Sequence, residues 1–299
     1  MAKFAKNVDP KAVAEKQAAN IMKQVQGKDL PSVGTVRNYE ERLSIVAKTV
    51  NAEFKCGLRD LTVDQAHHYL TDRAAEVGQK TLDMERQAIQ YMMQNVTGKL
   101  AQNEKLTVIK SEHKQNLTSR SYTTVQVKMV VSSQNARNGL ATEIAYAAGL
   151  RAHEIPTLLR IEERVPDKRE NHEAKFSHRE GERYTVEGKG GLVREVQIPK
   201  ELADRLEERR LEQPQQITDR GIHYTVTYDI AGGKNWSNSF SAAANRALNW
   251  SAGAHGLRHT YAQERMSELQ RSLLYEQALK VVSLEMGHIR AEITEVYLR

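Results

Sequence analysis

Apolar positions recur at helical spacing through the first hundred residues and change character near residue 123. Residues 10–26, rich in Ala, Lys and Gln, read as a solvent-facing helix with Pro10 in its first turn, where a missing N–H costs nothing. Gly27, Pro31 and Gly34 interrupt it. A second helix is predicted over 35–54, where Tyr39, Leu43, Val46 and Val50 share one face at spacings of four, three and four. Thr62-Val63-Asp64-Gln65 is a capping-box signature opening a third helix to about residue 77. Residues 80–96 supply a fourth, with Leu82, Ile89 and Met93 inward. The pattern predicts an all-helical module of four or five short helices. Residues 97–122, dense in Lys, Asn, Gln and Ser, read as a linker, either a solvated connector or a basic segment tracking phosphates.

Beyond residue 123 the chain is more apolar. A helix is predicted over 136–149, with Leu140, Ile144 and Ala148 on one stripe and Gly149 as its stop. Residues 158–163, 184–187 and 193–198 read as strands, the last two flanking the tight-hairpin signal Gly188-Lys189-Gly190-Gly191. Residues 200–211 form a charged amphipathic helix, 213–233 read as loop with a short strand over 223–228, and 236–250 are helical by pattern. The second half is thus mostly helical with a small antiparallel sheet at its edge.

Composition narrows the class. The 299 residues suit two domains of ordinary size, and 39% hydrophobic with 27% charged residues describes a folded chain. The longest apolar run, Ile144 to Ala148, is far below a membrane span, and the N-terminal Met1-Ala2-Lys3-Phe4-Ala5-Lys6 has no apolar signal-peptide core. The lone Cys56 makes no internal disulfide, so a cytoplasmic location is expected. A net charge of +6 and a pI near 9.2 permit nucleic-acid binding without requiring it. Residues 1–115 carry 18 Lys and Arg against 14 Asp and Glu, so neither half is strongly polarised.

Six residues of the second half carry candidate chemistry. Arg151 follows the helix stop with Glu154 three residues on, which is either a local ion pair or a guanidinium held ready for a phosphate. Lys189 at the hairpin is either surface decoration or a proton donor dipped into a groove. His255 and His259 stand four apart as metal ligands often do. However, Gly256 occupies the place of a metalloprotease glutamate and Arg258 brings a permanent positive charge, so no metal is expected. The competing reading is His255 and Arg258 aimed at one anion. His288 follows Gly287 at a helix boundary, and Tyr297 lies beside the stripe Ile289, Ile293, Val296, where a core role is the ordinary reading for both.

In chain order these segments form one pattern: Gly149-Leu150-Arg151-Ala152-His153-Glu154, then Gly188-Lys189-Gly190, then His255-Gly256-Leu257-Arg258-His259-Thr260, then Gly287-His288 and Tyr297. That pattern resembles the tyrosine recombinases, or phage-type integrases, and the helical module is similar to their core-binding module, most visibly at Thr35-Val36-Arg37-Asn38-Tyr39. The resemblance covers roughly residues 35–299. It implies a mainly α fold with a small antiparallel β-sheet. An N-terminal extension helix (1–34) would be followed by a helical, SAM-like core-binding domain (35–115) and a catalytic domain (116–299). It further implies site-specific cleavage and rejoining of DNA through a 3′-phosphotyrosyl intermediate, without cofactor or metal, as in integration, excision or dimer resolution. Tyr297 would be the nucleophile, His255 its base, Arg151 and Arg258 the grip on the non-bridging oxygens, Lys189 the donor to the leaving 5′ oxygen, and His288 a hydrogen-bond partner of the phosphate. The implied partners are double-stranded DNA with inverted-repeat core sites and further copies of the chain, as a tetramer on DNA, with no membrane.

The sequence departs from the family at Met286, where Leu is usual, and in the absence of a helix after the tyrosine. The expectation is that another segment, such as 10–26, makes the subunit contact or that it is missing, and that the tail after His288 is loosely held. Two other readings stay open: a DNA-binding protein of this fold without catalysis, and a type IB topoisomerase-like relaxing enzyme.

Overall fold

The computed structural model describes residues 9–27, 30, 32–115 and 117–299, with the backbone alone at Lys189; the readings on residues 1–6 and Pro31 lie outside the described residues. The chain divides into two compact units, residues 1–116 and 117–299.

The first unit holds α1 (Pro10–Val25), α2 (Val33–Glu53), α3 (Val63–Ala74) and α4 (Gln79–Met92), the last running into a π-helical turn, Met93–Thr97. Side-chain caps open three of them: Asp9 accepts from the Lys11 N–H, Ser32 from Thr35, and Thr62 with Gln65 completes the expected capping box. The helix α1 is not solvent-facing as expected. Its Ala14, Ala18, Ile21, Met22 and Val25 lie in one core with Leu43, Val46 and Val50 of α2. Two alanines at i, i+4 let the helices approach, and Ile21 and Met22 each contribute roughly 1.5–3 kcal/mol by burial.

The polar stretch after α4 is also largely no free connector. Leu100 and Leu106 are buried, and helix side chains satisfy its backbone. Gln90 accepts from the Leu106 N–H (3.1 Å) and His67 from Thr107 (3.2 Å), while Gln79 donates to the Ile109 carbonyl (3.0 Å) and accepts from the Ser111 N–H (2.9 Å). Its scarcity of large apolar side chains hid this, because amide groups do the holding.

The second unit runs α5 (Thr124–Ser132), α6 (Ala136–Ala148), β1 (Leu159–Arg160), β2 (Glu182–Glu187), β3 (Val193–Ile198), α7 (Lys200–Glu207), β4 (Arg210–Asp219), β5 (Ile222–Tyr228), α8 (Gly233–Leu248), α9 (Gly256–Leu269), α10 (Tyr275–Met286) and α11 (Glu292–Glu295). The chain is mainly α, as expected, but with two antiparallel sheets rather than one: β1-β2-β3 and the ribbon β4-β5. The sequence pattern assigns no element to α5, whose β-branched run is made helical by a Thr123/Gln126 capping box. It reads most of β4 as loop, because a two-stranded ribbon exposes both faces and shows no apolar alternation, and Pro214 falls where the register shifts. Trp236 and Phe240 of α8 anchor the larger core with Leu140, Ile144 and Val186. A second core between α9 and α10 includes Tyr261, Met266, Val282, Met286 and also Tyr297.

Candidate active site

The site is assembled where the ends of α6 and α10 meet the start of α9. The left-handed Gly149 (φ 59°) closes α6, and a Cβ there would sit 2.8 Å from the Tyr261 ring. Its carbonyl, freed by the turn, accepts from Arg258 Nη1. Gly287 (φ 73°) closes α10 in the same way, where a Cβ would come within 2.5 Å of Arg194 Cδ. Both turns need glycine for conformation and for space.

Arg258 is fully buried. Its Nη2 donates to the Met286 carbonyl (3.0 Å) and to His288 Nε2 (3.1 Å). Glu154, also fully buried, gathers three guanidiniums. It pairs with Arg151 at 2.6 Å, with Arg194 at 2.8 Å and with Arg258 at 3.9 Å, and it accepts from the Arg151 N–H at 2.8 Å. Burial alone would raise its carboxyl, but Arg194, Arg258 and Arg151 hold it far below the usual carboxylate range. Burial and the neighbouring Arg151 pull Arg258 down to about 10, which leaves it charged at neutral pH.

Tyr297 completes the group. Its hydroxyl lies 3.2 Å from His255 Nε2, and its ring centroid lies 4.8 Å from that of His259, 5.2 Å from that of His288 and 5.5 Å from the Arg258 guanidinium carbon. The structure thus brings together Arg151, His255, Arg258, His288 and Tyr297. Lys189 is placed by its backbone in the β2–β3 turn, Lys189–Gly191, and its side chain lies outside the described residues. Ile289, Ile293 and Val296, expected as a stripe beside the tyrosine, are exposed, because the segment turns Thr294 and Tyr297 inward instead. The loosely expected tail is tied there by the Thr294 hydroxyl, which lies 2.8 Å from His288 Nδ1.

An arginine only donates, so His288 Nε2 accepts from Arg258, and the proton of the neutral ring sits on Nδ1, facing Thr294. Burial, Arg258 and Arg151 push His288 down to about 3. His255 is also held below its ordinary value, by desolvation and then by Arg258, His259 and Arg120, and His259 is brought down to about 4 by burial and Arg120. All three rings are neutral at pH 7, so a base is available beside the phenol. A histidine depressed in the fold is protonated first in the unfolded chain, so stability is intact above pH 6.5 and is lost as pH falls toward 3. For His288 this amounts to roughly 2 kcal/mol by pH 5. Thermal unfolding of wild type should fall between pH 7 and pH 5 by several degrees more than that of His288→Gln, and parallel curves would remove His288 as the cause.

Sequence reading missed Arg194, whose buried side chain donates to the Glu285 carbonyl (2.6 Å) and to Glu154. It also missed Glu285, which accepts from Arg265, from the Tyr261 hydroxyl (2.9 Å) and from the Phe176 N–H (2.7 Å). Nothing marks either one in a strand of alternating charge or at a helix end. Within the site, Arg258 Nε and Arg194 Nε are buried without a hydrogen-bond partner among the described residues. Unpaired buried donors in a cationic cluster suit an anion. Among the described residues no three His, Cys, Asp or Glu side chains are grouped to hold a metal, and no helix is long and apolar enough to cross a membrane.

No family model and no curated protein matches the sequence. Solved structures do match by fold. A lambda integrase dimer bound to a COC′ core site is 14% identical, with a TM-score of 0.61 over 99% of this chain and 82% of the other. The XerH site-specific recombinase bound to a palindromic difH substrate, a post-cleavage complex, is 14% identical with a TM-score of 0.55 over 99% and 94%. The Tn1549 transposon integrase with transposon right-end DNA is 13% identical with a TM-score of 0.56 over 96% and 94%. The resemblance to tyrosine recombinases thus extends to the fold of nearly the whole chain.

Proposed function

We propose that this protein is a tyrosine-type site-specific recombinase that cleaves and rejoins DNA. The observation that carries the reading is the Tyr297 hydroxyl 3.2 Å from His255 Nε2, with its ring beside the buried, partly unpaired guanidinium of Arg258. A phenol with a pKa near 10 needs a base at pH 7, and a neutral imidazole at hydrogen-bond distance is one. Tyr297 Oη attacks the scissile phosphorus as its proton passes to His255. The bond from phosphorus to the 5′ oxygen breaks, and that oxygen takes a proton from Lys189. The 3′-phosphotyrosyl ester conserves the energy of the phosphodiester, so a 5′ hydroxyl from a partner strand reverses the step without ATP or metal. Arg151 and Arg258 offset charge growing on the non-bridging oxygens, each donor worth about 10²–10³ in rate by analogy with oxyanion holes. His288 braces Arg258. It donates to the phosphate once Nε2 gains a proton, which the phosphate charge favours.

In this reading residues 35–115, behind the 1–34 extension, are the DNA-gripping part and 116–299 the catalytic part. The partners are double-stranded DNA with inverted-repeat core sites and further copies in a tetramer, and the cell compartment is the cytoplasm. The test is selection of bound sequences from random DNA, followed by strand transfer on the selected site. Recombinant product supports the proposal. Relaxation of supercoils alone makes the protein topoisomerase-like, and binding without breakage makes it a regulator.

A further inference from the structure

His255, His259 and Gln263 follow one another at i, i+4 and i+8 along one stripe of α9, and all three engage the same short segment. His255 meets the Tyr297 hydroxyl and His259 lies against its ring. Gln263 Nε2 donates to the Tyr297 carbonyl at 3.1 Å and to the Arg299 carbonyl at 2.9 Å, with the Ser119 hydroxyl at 3.3 Å. An amide nitrogen has two hydrogens, so the two closer carbonyls take them and Ser119 is the weaker competitor. The segment is also held by the buried Thr294, whose hydroxyl meets His288 Nδ1, and by Ala291, Tyr297 and Leu298 packed on the α9–α10 core. However, Ile289, Ile293 and Val296 point outward, α11 is a single turn, and Gln263 takes the backbone at Tyr297 itself.

We infer that Gln263 is a positioning residue, a latch that docks the tyrosine-bearing segment on its own α9 and sets the Tyr297 hydroxyl in register with His255. It touches neither the reacting atoms nor the guanidinium cluster and acts only through the backbone on either side of the nucleophile. The inference rests on Tyr297 as the nucleophile for its consequence in rate, but not for the docking itself. Two neutral hydrogen bonds correspond to about thirtyfold in the docked equilibrium, and a reacting group misplaced by about 1 Å loses about a hundredfold.

Gln263→Met keeps side-chain length and helix propensity but donates nothing, and Gln263→Ala removes the side chain altogether. Each is measured for DNA affinity, for the single-turnover rate of covalent adduct formation on a saturating nicked site, and for trypsin cleavage after the exposed Arg290 of the full-length protein. The expected result is unchanged affinity, an adduct rate lower by about tenfold to hundredfold, and faster cleavage after Arg290, with an unfolding temperature lower by a few degrees. Adduct and cleavage rates within about twofold of wild type in both variants overturn the latch. If wild type forms no adduct, the nucleophile reading fails on its own, while the cleavage rates still decide whether Gln263 holds the segment.

Discussion

Replacing Tyr297 with Phe is expected to leave DNA binding within about twofold of wild type and to abolish covalent adduct formation altogether, because no other group takes the place of the phenol oxygen. The substitution removes one oxygen and the contact to His255, worth about 1 kcal/mol. The unfolding temperature should therefore fall by only about 2–4 °C. The ring keeps its place among His255, His259 and His288, so the loss is chemical rather than structural. Gel-shift titration together with denaturing electrophoresis of a nicked substrate separates the two. An adduct from Tyr297→Phe would move the nucleophile elsewhere.

The second large effect belongs to Glu154. Its carboxylate is a counter-charge shared by Arg151, Arg194 and Arg258, and it is fully buried. Glu154→Gln keeps the shape and some acceptor capacity but leaves the buried guanidiniums uncompensated. Breaking such a group by removing one partner costs about 3–5 kcal/mol, so the unfolding temperature should drop by roughly 10 °C. Arg151, tied to Glu154 through both its N–H and its guanidinium, loses its orientation, so activity should fall by at least about a hundredfold where the protein is still folded. Calorimetry and the adduct assay at low temperature check both. A Glu154→Gln protein as stable as wild type would show that the cluster does not depend on this charge.

Both effects rest on groups with very different visibility in the sequence. The helices of the first unit are legible because Leu43, Val46 and Val50 repeat at helical spacing and Thr62 with Gln65 caps by local contact alone. The gathering of Arg151, His255, Arg258, His288 and Tyr297 is legible only through the family pattern that their order resembles, while Gly149 and Gly287 mark the helix ends by a conformation few other residues adopt. What escaped was set by long-range packing. Small residues such as Ala14 and Ala18 carry little apolar signal yet bury α1. The stretch from Leu100 to Ser111 is held by glutamine side chains on distant turns, and the β4–β5 ribbon is exposed along most of its length, burying Thr227 and Tyr228 at its base. Arg194 and Glu285 read as ordinary surface charges until the fold closes over them. The tail was misjudged for a related reason: the buried Thr294 against His288 and the Gln263 amide against the Tyr297 main chain hold it through residues with no chemical signature in the sequence.

The central claim is that Tyr297 becomes covalently joined to DNA. The most direct measurement is to incubate wild-type protein with its selected site carrying a nick near the cleavage point, digest the trapped complex, and identify the nucleotide-bearing peptide by mass spectrometry. One modified peptide is expected, with a 3′-phosphonucleotide on the Tyr297 oxygen and a free 5′ hydroxyl on the released strand. A nucleotide on any other residue, or cleavage that leaves no protein–DNA bond, would contradict that claim.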